Sequence, residues 1–172
     1  RLARSALIDP LTGLGNEAGL FKRLEEYATP PSAEGQVRLL VSVSSGLSRQ
    51  RQLENRLNDF YLLDTDMADR LCTLPQQVWW SRTSLGAFKG LWTGPASQQR
   101  AILDSICGVC TQPQGSYSAV QWVVSGATAS HPLADRCSAQ TQLGLLTQAE
   151  FRAHQFRRLE VVEITPDTVS AL

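Results

Sequence analysis

The sequence predicts a mixed α/β domain, a central sheet of about five strands covered by helices. Three observations lead there. Short β-branched or aromatic runs alternate with longer stretches of helical periodicity, two of those runs follow one another across a tight turn, and 42% of the 172 residues are apolar, enough to fill one core. Consecutive strands joined by a hairpin, with helical crossovers on either side, make a mixed sheet with helices packed on it.

The elements follow in order. Leu2 to Ile8 reads as the end of a helix, stopped at Asp9-Pro10 because a residue before proline is pushed out of helical geometry. Asn16 is placed to cap a second helix, with Leu20, Phe21, Leu24 and Tyr27 on its apolar side and Lys22, Arg23, Glu25 and Glu26 opposite, ending before Pro30-Pro31. Arg38 to Ser44 is the first strand, bounded by Ser45-Gly46. A polar helix is expected over Ser48 to Asp59 and another from Asp64 to Thr73, turning Met67, Ala68 and Leu71 inward. Gln77 to Arg82 and Phe88 to Trp92 form a β-hairpin, and Ser97 to Cys110 an amphipathic helix. Tyr117 to Val124 reads as a strand, His131 to Gln142 and Leu145 to Phe156 as two helices, and Leu159 to Ile164 as the closing strand.

Charge and composition exclude several classes. Sixteen basic and sixteen acidic residues cancel, so no overall field gathers nucleic acid or an anionic membrane. No run of eighteen apolar residues spans a bilayer, and the first ten residues do not form a signal peptide. The four cysteines, Cys72, Cys107, Cys110 and Cys137, fit a reduced, cytoplasmic setting. Cys107-Gly108-Val109-Cys110 has the spacing of a redox pair or half a zinc site, but Leu103, Ile106, Cys107 and Cys110 share one helical face, which reads as core. His131 and His154 lie far apart, leaving little material for a histidine triad or metal site. Strand alternation sends Trp79 and Trp80 to opposite faces, and Trp92 and Trp122 read as sheet core.

Asp9-Pro10-Leu11-Thr12-Gly13-Leu14-Gly15-Asn16 resembles the DxLTGLxNR opening of the GGDEF (diguanylate cyclase) family. Ser84-Leu85-Gly86-Ala87-Phe88 falls where that family keeps its Gly-Gly-Asp/Glu-Glu-Phe turn. The order of elements over Ala6 to Glu163 is similar as well, which implies a fold like the palm of nucleotide cyclases and polymerases. Active relatives join two GTP molecules, with magnesium, into cyclic di-GMP across a dimer. One magnesium carboxylate stands at the end of the first strand, in a pattern like DxDxFKxxND; the matching stretch here is Ser42-Val43-Ser44-Ser45-Gly46-Leu47-Ser48-Arg49. In the signature turn, Ser84-Leu85 replace the glycines and Gly86-Ala87 the acids, so the turn is vestigial. Magnesium prefers carboxylate oxygens, and serines and alanine do not supply them. The inhibitory RxxD motif is matched by Pro75-Gln76-Gln77-Val78, without guanidinium or carboxylate.

Some nucleotide contacts are expected as remnants. Asn58-Asp59 is similar to the family's Asn-Asp, Ala68-Asp69 to its guanine-reading Gly-Asp, and Ala149 to His154 loosely to ALYxAK, with His154 in place of the phosphate lysine and Arg158 at a later arginine. The resemblance therefore implies a degenerate, non-catalytic domain over residues 9–165, with no cofactor and no metal, entered through a connecting helix at 1–8 and left through a tail or linker at 166–172. Its role would be regulation, dimerisation or protein interaction in a larger bacterial protein, beside an EAL-like or sensor domain. Only that parent would bring it to the inner face of the inner membrane. A nucleotide sensor for GTP or cyclic di-GMP that controls a neighbouring domain remains open, as does an active cyclase with unorthodox ligands.

Overall fold

A computed structural model describes residues 6–27, 33–45, 57–112 and 120–170. Its elements are α1 (Glu17–Tyr27), β1 (Gln36–Ser45), α2 (Leu57–Cys72), β2 (Trp79–Ser84), β3 (Ala87–Pro95), α3 (Gln99–Cys110), β4 (Trp122–Ser130), α4 (Ala139–Phe156), β5 (Glu160–Glu163) and a short α5 (Pro166–Ser170). The five strands form one sheet in the order β2-β3-β1-β4-β5, antiparallel except for the parallel pair β4-β5. This is the mixed sheet the sequence predicts. The long helix α4 makes the crossover that a parallel β4-β5 pair requires.

β1 lies at the centre and is buried along nearly its whole length, so its alternation separates two kinds of packing rather than core from water. Val37, Leu39, Val41 and Val43 belong to a core shared with Met67, Ala68 and Leu71 of α2 and Ile102, Leu103 and Ile106 of α3. Leu40 belongs to the other core, with Leu20 and Leu24 of α1 and Leu145 and Leu146 of α4. Trp80, Trp92 and Trp122 join the first core, and Trp79 packs on the second, as alternation requires. Phe88 and Trp122 meet at 5.9 Å between ring centroids.

On the α4 side, β1 carries polar groups as well. Arg38 is 6% exposed. Its Nε donates to Gln142 Oε1 at 2.6 Å and an Nη to the Cys137 carbonyl at 2.7 Å, while Gln142 Nε2 donates to the carbonyls of Arg38 and Ala127. Burial pulls the Arg38 guanidinium below its ordinary value, and these carbonyl and amide acceptors hold its charge.

Several boundaries differ from the sequence reading. Of the expected connecting helix, Leu2 to Ser5 lie outside the described residues, and Ala6 to Ile8 form a turn and a single β-bridge. Residues 48–56 of the expected polar helix also lie outside. From Leu57 one continuous helix runs to Cys72, because no breaker separates Asp59 from Asp64. β4 occupies 122–130; of the strand expected over 117–124, residues 117–119 lie outside the described residues, and the strand runs on past 124 because the small residues of Ser125-Gly126-Ala127-Thr128-Ala129-Ser130, which carry no strong strand signal, pair with β1 along their length. The two helices expected between His131 and Phe156 are a 3-10 turn at Leu133–Asp135 and the single helix α4, which runs through Leu143 and Gly144 and starts at the Ser138 cap, whose Oγ accepts from Thr141 N–H. Phe21 is exposed, lying one step outside the stripe formed by Leu20 and Leu24. Within the segment read as a tail or linker, residues 166–170 form a short helix.

The Arg38–Gln142 contact gives a direct test. Replacing Gln142 with Leu keeps the volume but strands the Arg38 Nε and two carbonyls. The expected cost in urea unfolding is about 2–3 kcal/mol.

Candidate functional site

The loop Asp9–Asn16 folds back on itself. Asp9 Oδ2 accepts from Thr12 N–H at 3.0 Å and from Thr12 Oγ1 at 2.7 Å, while the Gly13 N–H donates to the Asp9 carbonyl, as a turn closed by an aspartate does. Asn16 caps α1, its Oδ1 accepting from Gly19 N–H at 2.9 Å. The loop then lies along the edge of β2: Gly15 N–H donates to the Trp80 carbonyl and the Arg82 N–H donates to the Gly15 carbonyl. Only glycine fits there, since a Cβ on Gly15 would sit 2.6 Å from the Trp79 ring.

Arg82 of β2 gathers this loop, α2 and the hairpin turn into one cluster. Its Nε donates to Asp64 Oδ2 at 2.7 Å and its Nη1 to Asp9 Oδ1 at 3.1 Å. The side chains of Arg82 and Asp9 are 12% and 11% exposed, and that of Asp64 is fully buried. Asp64 Oδ2 also accepts from the Gly86 N–H at 2.9 Å, whereas its Oδ1 has no partner among the described residues. Burial pushes the Asp64 carboxyl up, and the Gly86 N–H and the Arg82 charge offset part of that rise.

The turn itself is Ser84-Leu85-Gly86-Ala87, with Gly86 at φ 66° in the third place, where a glycine is favoured. It faces the end of β1. Ser44 pairs with Ala87, and the Ser45 N–H donates to the Gly86 carbonyl at 2.8 Å. A Cβ on Gly86 would collide with Ser45 Oγ, a buried hydroxyl without a partner among the described residues. Ser44 Oγ lies 2.6 Å from His154 Nε2, from the last turn of α4.

The expected site residues are therefore only partly brought together. Ser84, Leu85, Gly86, Ala87 and Phe88 form the hairpin turn and its exit, with Phe88 fully buried in the core. Asp69 is exposed on α2. Arg158 is 69% exposed, pairs with Glu160 at 2.8 Å and covers the Phe156 ring, so it does not reach the turn. The side chain of Asn58 and residues 46–49 lie outside the described residues. Sequence reasoning used Asp64 only as the start of a helix and Arg82 only as the end of a hairpin strand. The signal was present: Asp64 stands three, four and seven residues before Met67, Ala68 and Leu71, an acid on an apolar stripe that demands a buried cation.

The CxxC pair is core. Cys107 and Cys110 pack against the cluster formed by α2 and α3, and no group of three metal-ligating side chains occurs among the described residues. Burial pushes the Cys110 thiol up to about 12 and raises Cys107 as well, which starves both of the reactive thiolate. No helix of the described residues is long and apolar enough to cross a membrane.

No family model matches the sequence, and no curated protein is similar to it at sequence level. Solved structures are similar in fold. The GGDEF domain of FimX from Pseudomonas aeruginosa superposes with a TM-score of 0.72 at 15% identity, over 92% of this chain and 99% of that one. SiaD, a diguanylate cyclase from Pseudomonas aeruginosa solved with its activator SiaC, gives 0.75 at 17% identity, over 95% and 64%. Vibrio cholerae LapD, an S helix-GGDEF-EAL chain bound to c-di-GMP, gives 0.73 at 18% identity, over 94% of this chain and 38% of that one. The five-stranded mixed sheet with its helices is the fold of GGDEF domains. The resemblance read from Asp9–Asn16 and the order of elements is thus matched in three dimensions.

Two outcomes test this geometry. Arg82→Met leaves two acids facing each other with Asp64 buried, and the expected loss in urea unfolding is about 3–5 kcal/mol, while Arg100→Met, which breaks an exposed pair with Asp104, changes little. At pH 8, iodoacetamide is expected to modify Cys110 at least about tenfold more slowly in the folded chain than in urea, read by mass spectrometry of its peptide.

Proposed function

We propose that this chain is a catalytically silent GGDEF-like domain, working as a regulatory, dimerisation or protein-interaction module of bacterial cyclic di-GMP signalling within a larger protein. One observation carries the reading: the end of β1 and the hairpin turn face each other, yet they meet through groups that cannot take up magnesium. Ser44 is bonded to His154, Ser45 lies under Gly86, and Ala87 presents a methyl group. A hard divalent ion needs several oxygen ligands, carboxylates foremost, and two acids beside the hairpin, Asp64 and Asp9, are engaged by Arg82. The residues present do not fit the ion, and no phosphoryl-transfer step is derived through it.

Support for an interaction role comes from the solved relatives, one held by an activator protein and one joined to an EAL domain. The sensor reading has less behind it, since Arg158 is spent on Glu160 and Phe156. Incubation of the chain with GTP and magnesium is expected to give no cyclic di-GMP by chromatography and mass spectrometry. Product above a no-protein control sinks the proposal. Saturable heat on titration with GTP would move the reading to the sensor.

A further inference from the structure

The sheet face under α1 and α4 changes character toward the hairpin turn. Trp79, Leu91, Leu40, Ala127 and Val162 make one row across the five strands, and all of them pack in the second core. The next row on the same face is Ser81, Lys89, Ser42, Ser125 and Glu160. Every position in it is polar, although Ser42, Ser81 and Ser125 are buried. Alternation fixes their direction, because Trp80, Phe88, Val43 and Val124, their neighbours in sequence, belong to the core on the opposite face.

Lys89 is one of two lysines in the chain and the one cation in this row. Its neighbours on either side, Ser81 and Ser42, are uncharged, with Cβ atoms about 5 Å away, and Ser81 Oγ donates to the Lys89 carbonyl at 2.9 Å. The acid of the row, Glu160, stands three strands away, about 14 Å at the usual spacing, and is bonded to Arg158. Glu150, one turn before His154 on α4, is half-buried and makes no ion pair with Lys89, while Asp9 and Asp64 are spent on Arg82. At the open end of the face, Ser44 Oγ lies 2.6 Å from His154 Nε2. When that nitrogen carries the hydrogen, it donates to Ser44 and leaves the serine hydroxyl to donate outward. Lys89, Ser44 and His154 are all half-buried, so each keeps some contact with solvent.

We propose that Lys89 and the Ser44–His154 pair form a site for the phosphate group of a small ligand, bound directly and without a metal ion. The ammonium supplies the charge, and the serine hydroxyl supplies a hydrogen bond strengthened by the charge of its acceptor. Donors carried on β3, β1 and α4 approach from different directions. A phosphate, with three strong acceptor oxygens, meets such a set better than a planar carboxylate does. The same ammonium repels a divalent cation. The site thus rests on the reading that this end of β1 takes no magnesium, and gives that loss of metal chemistry a use.

The test is a carbon-13 NMR titration of the lysine side chains, where Lys22 serves as the internal control. Inorganic phosphate is added in EDTA, against sodium chloride at matched ionic strength. The Lys89 signal is expected to shift saturably while the Lys22 signal stays. Affinity, followed at the His154 ring, should fall about tenfold or more in Lys89→Met, and, followed at Lys89, severalfold in Ser44→Ala. Amide spectra check that both variants remain folded, and Lys89→Gln repeats the measurement if the Met variant does not. GTP in EDTA separates the sources of the phosphate: binding at least about tenfold tighter than inorganic phosphate assigns a nucleotide, and equal or weaker binding a free phosphate. Shifts that only track ionic strength, equal shifts at both lysines, binding that Lys89→Met and Lys89→Gln retain, or binding that appears only with magnesium overturn the assignment. Failure of the silent-domain reading shows separately, as cyclic di-GMP made from GTP, and absence of phosphate binding leaves that reading standing.

Discussion

The fold around the hairpin depends on one guanidinium. Arg82 is shared between Asp9, 73 residues earlier in the chain, and Asp64 on α2, and through Asp64 it is tied to the Gly86 amide. Taking charges out of water is costly, and mutual attraction offsets that cost only when geometry and hydrogen bonds are both complete. The four groups therefore stand or fall together. The entry loop cannot move off β2, α2 cannot slide along the sheet, and the turn cannot change its backbone without leaving one of the charges exposed to an apolar surround.

This constraint also separates shape from chemistry. The loop, the strand arginine and the glycine in the left-handed place hold the turn in register opposite the end of β1. None of them requires the turn to carry acids. The groups that face each other across the frame are Ser44, Ser45 and Ala87, and His154 reaches from α4 to Ser44. The two faces of the sheet divide the labour in the same sense. The α2 and α3 side is held by apolar packing, while the α1 and α4 side carries buried Arg38 and Gln142 and half-buried Ser44, groups whose partners must be individually placed.

Much of the fold was legible in the sequence because the strongest signals are local. Asn16 as a cap, Arg38 to Ser44 as a strand and the hairpin of Gln77–Arg82 and Phe88–Trp92 are decided within a few residues. What was not legible is what depends on partners distant in sequence. β4 is a strand because β1 lies beside it, and Ala127 and Ala129 announce nothing by themselves. Asp64 was read as a helix start because its cation arrives from β2.

The strap made by Gly15 on β2 has a consequence for assembly. A β-sheet propagates between molecules only when both of its edges offer free amides and carbonyls, since a growing stack needs a donor and a receiver on every copy. Here the middle of one edge is already taken, its Trp80 carbonyl and Arg82 amide bonded to Gly15 of the same chain. Strand addition is left to the β5 side, where Glu160 and Glu163 flank a four-residue strand. Among the described residues, the middle of the β2 edge is thereby closed to a strand from a second copy.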